Sequence, residues 1–120
     1  ISAGELIDKI TILNIKKEKI TNNEKLVEIE KELKSLKDTF NKIIIPDNSL
    51  LELMEQLKKI NLKLWDIEDG KRNAEKNKKF DERFIELARN VYKFNDERAE
   101  IKLKINNLLG SNIKEVKSYD

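Results

Sequence analysis

Apolar residues recur at every third or fourth position along most of this chain, which is the spacing that places them on one face of an α-helix. Three stretches follow this spacing, with charged residues between the apolar ones, and the third is interrupted by Asn95, Arg98 and Lys102. The apolar positions are Leu26, Ile29, Leu33, Leu36, Phe40 and Ile43 in the first, Leu50, Leu53, Leu57, Ile60, Leu64 and Ile67 in the second, and Phe84, Leu87, Val91, Phe94, Ile101, Ile105 and Leu108 in the third. This pattern predicts amphipathic helices and an all-α fold.

The segment before these three stretches has a different pattern. Its apolar residues are Leu6, Ile7, Ile10, Ile12, Leu13, Ile15 and Ile20, and they spread over most of a helical circumference. Such a helix is buried by neighbours on several sides, or on one side by a second copy of the chain. Because its apolar surface exceeds what we expect three partner helices to cover, we predict a homo-oligomer, with a helical hairpin as the dimer interface.

Residues that start or stop helices divide the chain into four parts. Ser2 and Thr21 each stand three residues before a glutamate, which is the spacing of a capping box. Pro46 ends the second helix, Asp81 caps the last, and Gly110 stops it. The predicted helices span about residues 3–20, 23–43, 48–74 and 82–109. Since the turns are short, we expect one domain, residues 1–120, built as an antiparallel four-helix bundle.

Composition limits the chemistry and the partners of this protein. The 120 residues include no cysteine and no histidine, which excludes thiolate nucleophiles, imidazole catalysis and the usual zinc sites. No stretch is apolar for the roughly 18 residues that span a bilayer, so we expect a cytoplasmic protein. The net charge is only +2, and basic residues near position 75 are balanced by acids, which argues against a nucleic-acid partner. Any chemistry must use carboxylates, lysine, arginine, tyrosine or a bound cation.

Charged residues concentrate where the predicted third and fourth helices face each other, and they define a candidate site. Its ligand-binding candidates are Trp65, Asp66, Glu68, Asp69 and Arg72 on the third helix, Asn95, Asp96, Arg98 and Lys102 on the fourth, and Asp8 and Lys9 on the first. One interpretation is a site inside the bundle that holds a cation or a small anionic ligand. The other is a set of ordinary interhelical salt bridges, with Trp65 in the core.

One acidic pattern in this region resembles a known enzyme family. Asp66 and Asp69, followed by Glu97 and Glu100, are similar to the paired acidic motifs of the all-α nucleoside triphosphate pyrophosphohydrolases. Asp replaces the usual Glu in the first pair, and Glu replaces the final Asp. The resemblance implies a magnesium-dependent enzyme acting on a phosphate-containing small molecule. As the alternative function, we predict such an enzyme with Asp66, Glu68 and Asp69 as metal ligands and Arg72 or Arg98 on the phosphate. Without that activity we expect no cofactor.

Nearly the whole chain resembles a family of small, all-helical bacterial proteins of unknown function. The matching segments are Gly4 to Leu13 (GELIDKITIL), Leu64 to Asp69 (LWDIED), Asn95 to Ala99 (NDERA), Ile105 and Asn106, Gly110 and Ser111, and Glu115 to Tyr119 (EVKSY). The resemblance implies a cytoplasmic helical protein, and some members are associated with glycosyltransferases or surface-polysaccharide proteins. It brings no established activity.

We therefore predict a helical binding or scaffolding protein rather than an enzyme, because no nucleophile stands with a suitable base. Its partner would be another protein or a small anionic ligand. The family context suggests an accessory role in surface-polysaccharide or glycan biosynthesis.

Overall fold

The computed structural model describes residues 2–110, which fold into four helices and contain no strand. The helices are α1 (Ala3–Lys19), α2 (Asn23–Ile43), α3 (Asn48–Asn77) and α4 (Glu82–Leu109). The all-α prediction is confirmed. The bounds of α2 and α4 match the predicted ones, whereas α1 ends one residue earlier and α3 continues to residue 77 instead of 74. The last predicted family segment, residues 115–119, lies outside the described residues.

Each helix begins at a polar side chain that binds its first free backbone amides. Ser2, Asn22, Asp47 and Asp81 each accept a hydrogen bond from the amide three residues ahead, over 2.8 to 3.3 Å. Such caps replace the hydrogen bonds that the first turn of a helix lacks. At α2 the cap is Asn22 rather than the predicted Thr21. The four starts are therefore determined by residues next to them in the chain.

Helix α3 continues beyond its predicted end, and a residue in the left-handed backbone conformation ends it. Lys78 has φ 52° and ψ 38°, and the amide of Lys79 returns to the carbonyl oxygen of Ala74 at 2.9 Å. This arrangement satisfies carbonyl groups at the helix end, as a Schellman motif does. Gly70 lies where α3 approaches α4 closely, since a Cβ atom there would lie only 3.0 Å from the Leu87 side chain.

Helix α1 lies at the centre of the bundle and packs against each of the other three helices. Most of its apolar residues are consequently buried within one chain, for example Leu6 at 3%, Ile7 at 0% and Ile15 at 1% exposure. The unusual apolar circumference of this helix is therefore explained by three intramolecular neighbours. Our reason for predicting a second copy at α1 was wrong, and a homo-oligomer stays a prediction that needs another surface.

The helices run in an up-down-up-down order, so α1 and α4 are antiparallel. Their register is visible where Gly4 contacts Asn106 and Asp8 contacts Arg98. Helix α3 also packs along the length of α4. The 30 residues of α3 correspond to about 45 Å of helix, which accounts for most of the 49 Å long axis. This arrangement brings some of the predicted site residues of α1, α3 and α4 to the same level of the bundle.

Candidate functional site

The candidate site is built around Asp8, a carboxylate buried in the middle of the bundle. Asp8 is 1% exposed because α1 is surrounded by the other helices. An isolated carboxylate at such a position would be destabilised by several kcal/mol, since it gives up its water. It must therefore be compensated by hydrogen-bond donors and a positive charge from neighbouring helices.

Two helices supply that compensation. Asn61 of α3 donates from Nδ2 to Asp8 Oδ1 at 2.9 Å, and Arg98 of α4 donates from Nε to the same oxygen at 3.0 Å. A second bond runs from Arg98 Nη2 to Asp8 Oδ2, which makes the ion pair bidentate. Asp8 therefore joins α1, α3 and α4 at one point.

A second cation extends this cluster towards the surface. Lys102, one turn after Arg98, places its Nζ 2.7 Å from Glu5 Oε2 and 3.9 Å from Asp8 Oδ2. The hydrogen bond to Asp8 raises the pKa of Arg98 above its ordinary value, and the negative charges of Asp8 and Glu5 act in the same direction, while partial burial opposes them. The guanidinium of Arg98 therefore stays charged at every physiological pH.

The close approach of α1 and α4 holds these groups in register. The amide of Gly4 donates to Asn106 Oδ1 at 2.7 Å. A Cβ atom added at Gly4 would lie only 2.6 Å from the carbonyl oxygen of Lys102, a distance that real Cβ atoms do not adopt. A glycine at this position therefore lets the two backbones touch one turn before Asp8.

A cleft of about 160 Å³ opens beside the buried ion pair, between α1, α3 and α4. Its lining combines an apolar wall with an aromatic ring, an amide and three charged side chains. The lining residues are Ile12, Ile15, Asn61, Leu64, Trp65, Glu68, Arg72 and Arg98. Arg98, whose side chain is 28% exposed, thus connects the ion pair to the cleft.

The structure brings together six of the predicted site residues. Asp8, Arg98 and Lys102 form the buried cluster, while Trp65, Glu68 and Arg72 line the cleft with Arg98. The other five predicted residues are exposed to solvent and line neither the cluster nor the cleft. These are Lys9, Asp66, Asp69, Asn95 and Asp96.

The positions of the three predicted metal ligands add no support for a metal site. Asp66, Glu68 and Asp69 are all exposed, and the last two pair with Lys71 at 3.6 Å and Arg72 at 3.7 Å along their own helix. Over residues 2–110, no group of three or more acidic side chains is arranged to hold a metal ion. A magnesium site at these residues stays a prediction from the sequence.

Two contributors were missed by the sequence analysis. Asn61 lies four residues after Leu57 on the apolar face of α3, so a polar residue among core positions was the available signal. Glu5 was assigned to a capping box, and Ser2 does accept from its amide. Its carboxylate, however, pairs with Lys102 instead of returning to the start of the helix.

A second cavity, of about 330 Å³, lies between the end of α3 and the start of α4. Its charged lining residues, Lys79, Asp81 and Arg83, are all exposed to solvent. Asp81 already serves as the cap of α4. This cavity therefore lacks the buried, oriented charge that distinguishes the cleft at Arg98.

Fold and site together define a class of protein: a four-helix bundle with a buried aspartate–arginine pair beside a small mixed cleft. More particularly, the chain belongs to the family of unknown function DUF6165, whose model matches residues 1–120. This confirms the predicted resemblance to a helical family of unknown function. No curated protein and no solved structure matches the chain. Among the helices described, none has both the length and the apolar character needed to cross a membrane.

Proposed function

We propose that this protein is a non-catalytic binding module that receives a phosphate or carboxylate group of a small ligand in the cleft beside Arg98. One observation carries the proposal. The guanidinium of Arg98 has five N–H groups, of which Asp8 accepts two, and the other three find no acceptor within residues 2–110. A charged donor that is held in place and still partly open to a cleft is suited to binding an anion.

The surroundings of Arg98 favour a ligand with an apolar or ring-shaped part next to its anionic group. Trp65 and Leu64 form one wall of the cleft, and Arg72 stands at its edge with a side chain that is 74% exposed. An aromatic ring offers a flat surface for stacking, and Arg72, which also pairs with Asp69 at 3.7 Å, adds a second guanidinium. Glu68 also lines the cleft, but Lys71 lies 3.6 Å from its carboxylate and offsets its charge.

The size of the cleft limits what it can enclose. At about 160 Å³ it is smaller than the roughly 300–1,000 Å³ of typical small-molecule pockets. We therefore infer that it takes only the anionic end of a ligand and that the remainder lies along the surface by Arg72. The glycan context implied by the family resemblance makes nucleoside diphosphate sugars the first class to test, and an accessory role in surface-polysaccharide biosynthesis is part of this proposal.

The state of Asp8 supports binding rather than catalysis. Its two oxygens already accept hydrogen bonds from Asn61 and Arg98, so it is poorly placed to act as a general base. The described residues also contain no buried side-chain polar atom without a partner. The ion pair with Asp8 orients Arg98 before any ligand binds. Arg98 can then hold an anion without any chemical reaction at the site.

Trp65 provides a direct assay because it is the only tryptophan in the chain and lines the cleft. The protein would be titrated with inorganic phosphate, a nucleoside diphosphate and a nucleoside diphosphate sugar while its fluorescence is followed. We expect saturable quenching that is strongest for the ligands with a base or sugar and that weakens at high salt. No saturable change with any probe at millimolar concentration would refute the proposal.

Two matched arginine variants test whether the ligand binds in the cleft beside Arg98. Arg72→Ala removes an exposed residue at the edge of the cleft, so we expect weaker binding with an unchanged unfolding midpoint. Arg83→Ala removes an exposed arginine that lines the other cavity, and it should bind as the wild type does. Equal losses in the two variants would indicate non-specific attraction to positive charge and would contradict a site at Arg98.

A further inference from the structure

The outward face of α4 carries an apolar stripe that the described part of the chain leaves uncovered. Ile85 is 49% exposed, Tyr92 78% and Leu103 58%. Ala99 is also exposed and lies between the last two. At 3.6 residues per turn, these four positions fall within an arc of about 40° over about 27 Å of helix. Such a stripe along a long helix is a surface to which another helix can pack.

We propose that this stripe is the contact between two copies of the chain, paired through antiparallel α4 helices about a twofold axis at Tyr92. In that register Tyr92 faces its own counterpart, and Ile85 lies opposite Ala99 of the second copy. The same register brings Phe80, an exposed residue just before α4, towards Leu103 of the second copy. Three of the four stripe positions thereby find an apolar or aromatic counterpart, and Leu103 lies opposite Asp81, the residue next to Phe80.

The charges beside the stripe are complementary to a second copy in this orientation. Arg89 and Asp96 are exposed, lie on the same side of the stripe, and stand seven residues apart with Tyr92 between them. Neither makes an ion pair within residues 2–110. A twofold axis at Tyr92 places Arg89 of each copy beside Asp96 of the other, which gives two equivalent ion pairs.

A parallel pair does not make use of these charges. In a parallel pair, the flank of one helix that carries Arg89 and Asp96 faces the opposite flank of its neighbour, where these charges would meet residues such as Ala88 and Asn95. Exposed ion pairs contribute little to the affinity, so they select the orientation while the apolar stripe supplies the attraction. The charge pattern therefore favours a second copy in the antiparallel orientation.

Cross-linking tests the register directly, since the natural chain has no cysteine. Ile85→Cys and Ala99→Cys variants would be prepared separately, then oxidised alone and as a mixture. We expect a cross-linked dimer from the mixture and none from Ile85→Cys alone, because its two copies would lie about 21 Å apart, far beyond the reach of a disulfide. Efficient cross-linking of Ile85→Cys with itself would overturn the antiparallel arrangement.

Sedimentation equilibrium of the full chain tests the association itself. We expect a mass approaching twice the 14.1 kDa of one chain as concentration rises. Arg89→Asp or Asp96→Arg alone should weaken the dimer about tenfold, because like charges replace both ion pairs, and the double variant should restore it. Val27→Lys, at an equally exposed apolar position on α2, is the control and should dimerise normally. A monomer at all concentrations, or a folded double variant without recovery, would refute the proposal.

Discussion

Replacing Arg98 with methionine would show how strongly the buried carboxylate depends on its partner. Methionine keeps much of the apolar stem but removes the guanidinium, so Asp8, at 1% exposure, would retain only Asn61 and a lysine 3.9 Å away. Breaking one side of a buried ion pair typically costs about 3–5 kcal/mol. Because Lys102 remains nearby and Arg98 is 28% exposed, we expect the lower end of that range, about 3 kcal/mol.

Urea unfolding followed by far-UV circular dichroism would measure this loss. For a chain of 120 residues we expect a parallel fall in the thermal midpoint of about 12 °C, at about 4 °C per kcal/mol. Arg72→Met is the matched control, since its guanidinium lies 3.7 Å from Asp69 at the surface, and such pairs contribute at most about 1 kcal/mol. Equal effects of the two substitutions would refute the assignment of a stabilising buried pair.

A second substitution distinguishes loss of the ion pair from loss of packing. Asp8→Asn removes the charge but keeps an oxygen that can accept from Asn61. The double variant Asp8→Asn with Arg98→Met should therefore be about 2 kcal/mol more stable than Arg98→Met alone, because no unpaired charge stays buried. If the double variant were as unstable as the single one, the loss would come from packing around Arg98 and not from the uncompensated charge of Asp8.

Three further predictions concern the helix contacts that position the site. Gly4→Ala should destabilise the protein by about 1–3 kcal/mol in urea unfolding, because its Cβ would press on the backbone of α4; no loss would contradict that contact. Leu57→Ala, at 0% exposure, should cost about 2–5 kcal/mol, while Leu51→Ala, at 50% exposure on the same helix, should cost clearly less. Asp47→Ala should cost about 1 kcal/mol by removing the cap of α3, and Asp47→Asn should retain most of it.

The sequence by itself determined the helices and most of their ends. Caps such as Ser2 and Asp81 act on amides three residues away, and the apolar spacing of α2 reports the helical period directly. These interactions are local, so they can be read without knowing how the helices pack. The end of α3 was predicted less well. Lys78 adopts a left-handed backbone conformation there, and lysine has no strong preference for that conformation that the sequence would show.

The candidate site could be predicted only in part. The sequence identified Asp8, Trp65, Arg72 and Arg98 as unusual charged or aromatic residues, but it grouped them with exposed neighbours such as Asp66 that contribute nothing to the cleft. Adjacent residues on a helix point about 100° apart, so a dense cluster in the chain is divided between the core and the solvent once the helix packs.

Tertiary structure alone decided which residues meet. Asp8 and Arg98 are 90 positions apart, and Asn61 reaches the same carboxylate from a third helix. Their meeting depends on the register of α1 against α4, which in turn depends on a glycine that lets the two backbones touch. The same packing buries most of the apolar residues of α1 and leaves the stripe on α4 exposed. The spacing of apolar residues along the chain predicts neither outcome, because the exposure of a helix face depends on the helices that lie beside it.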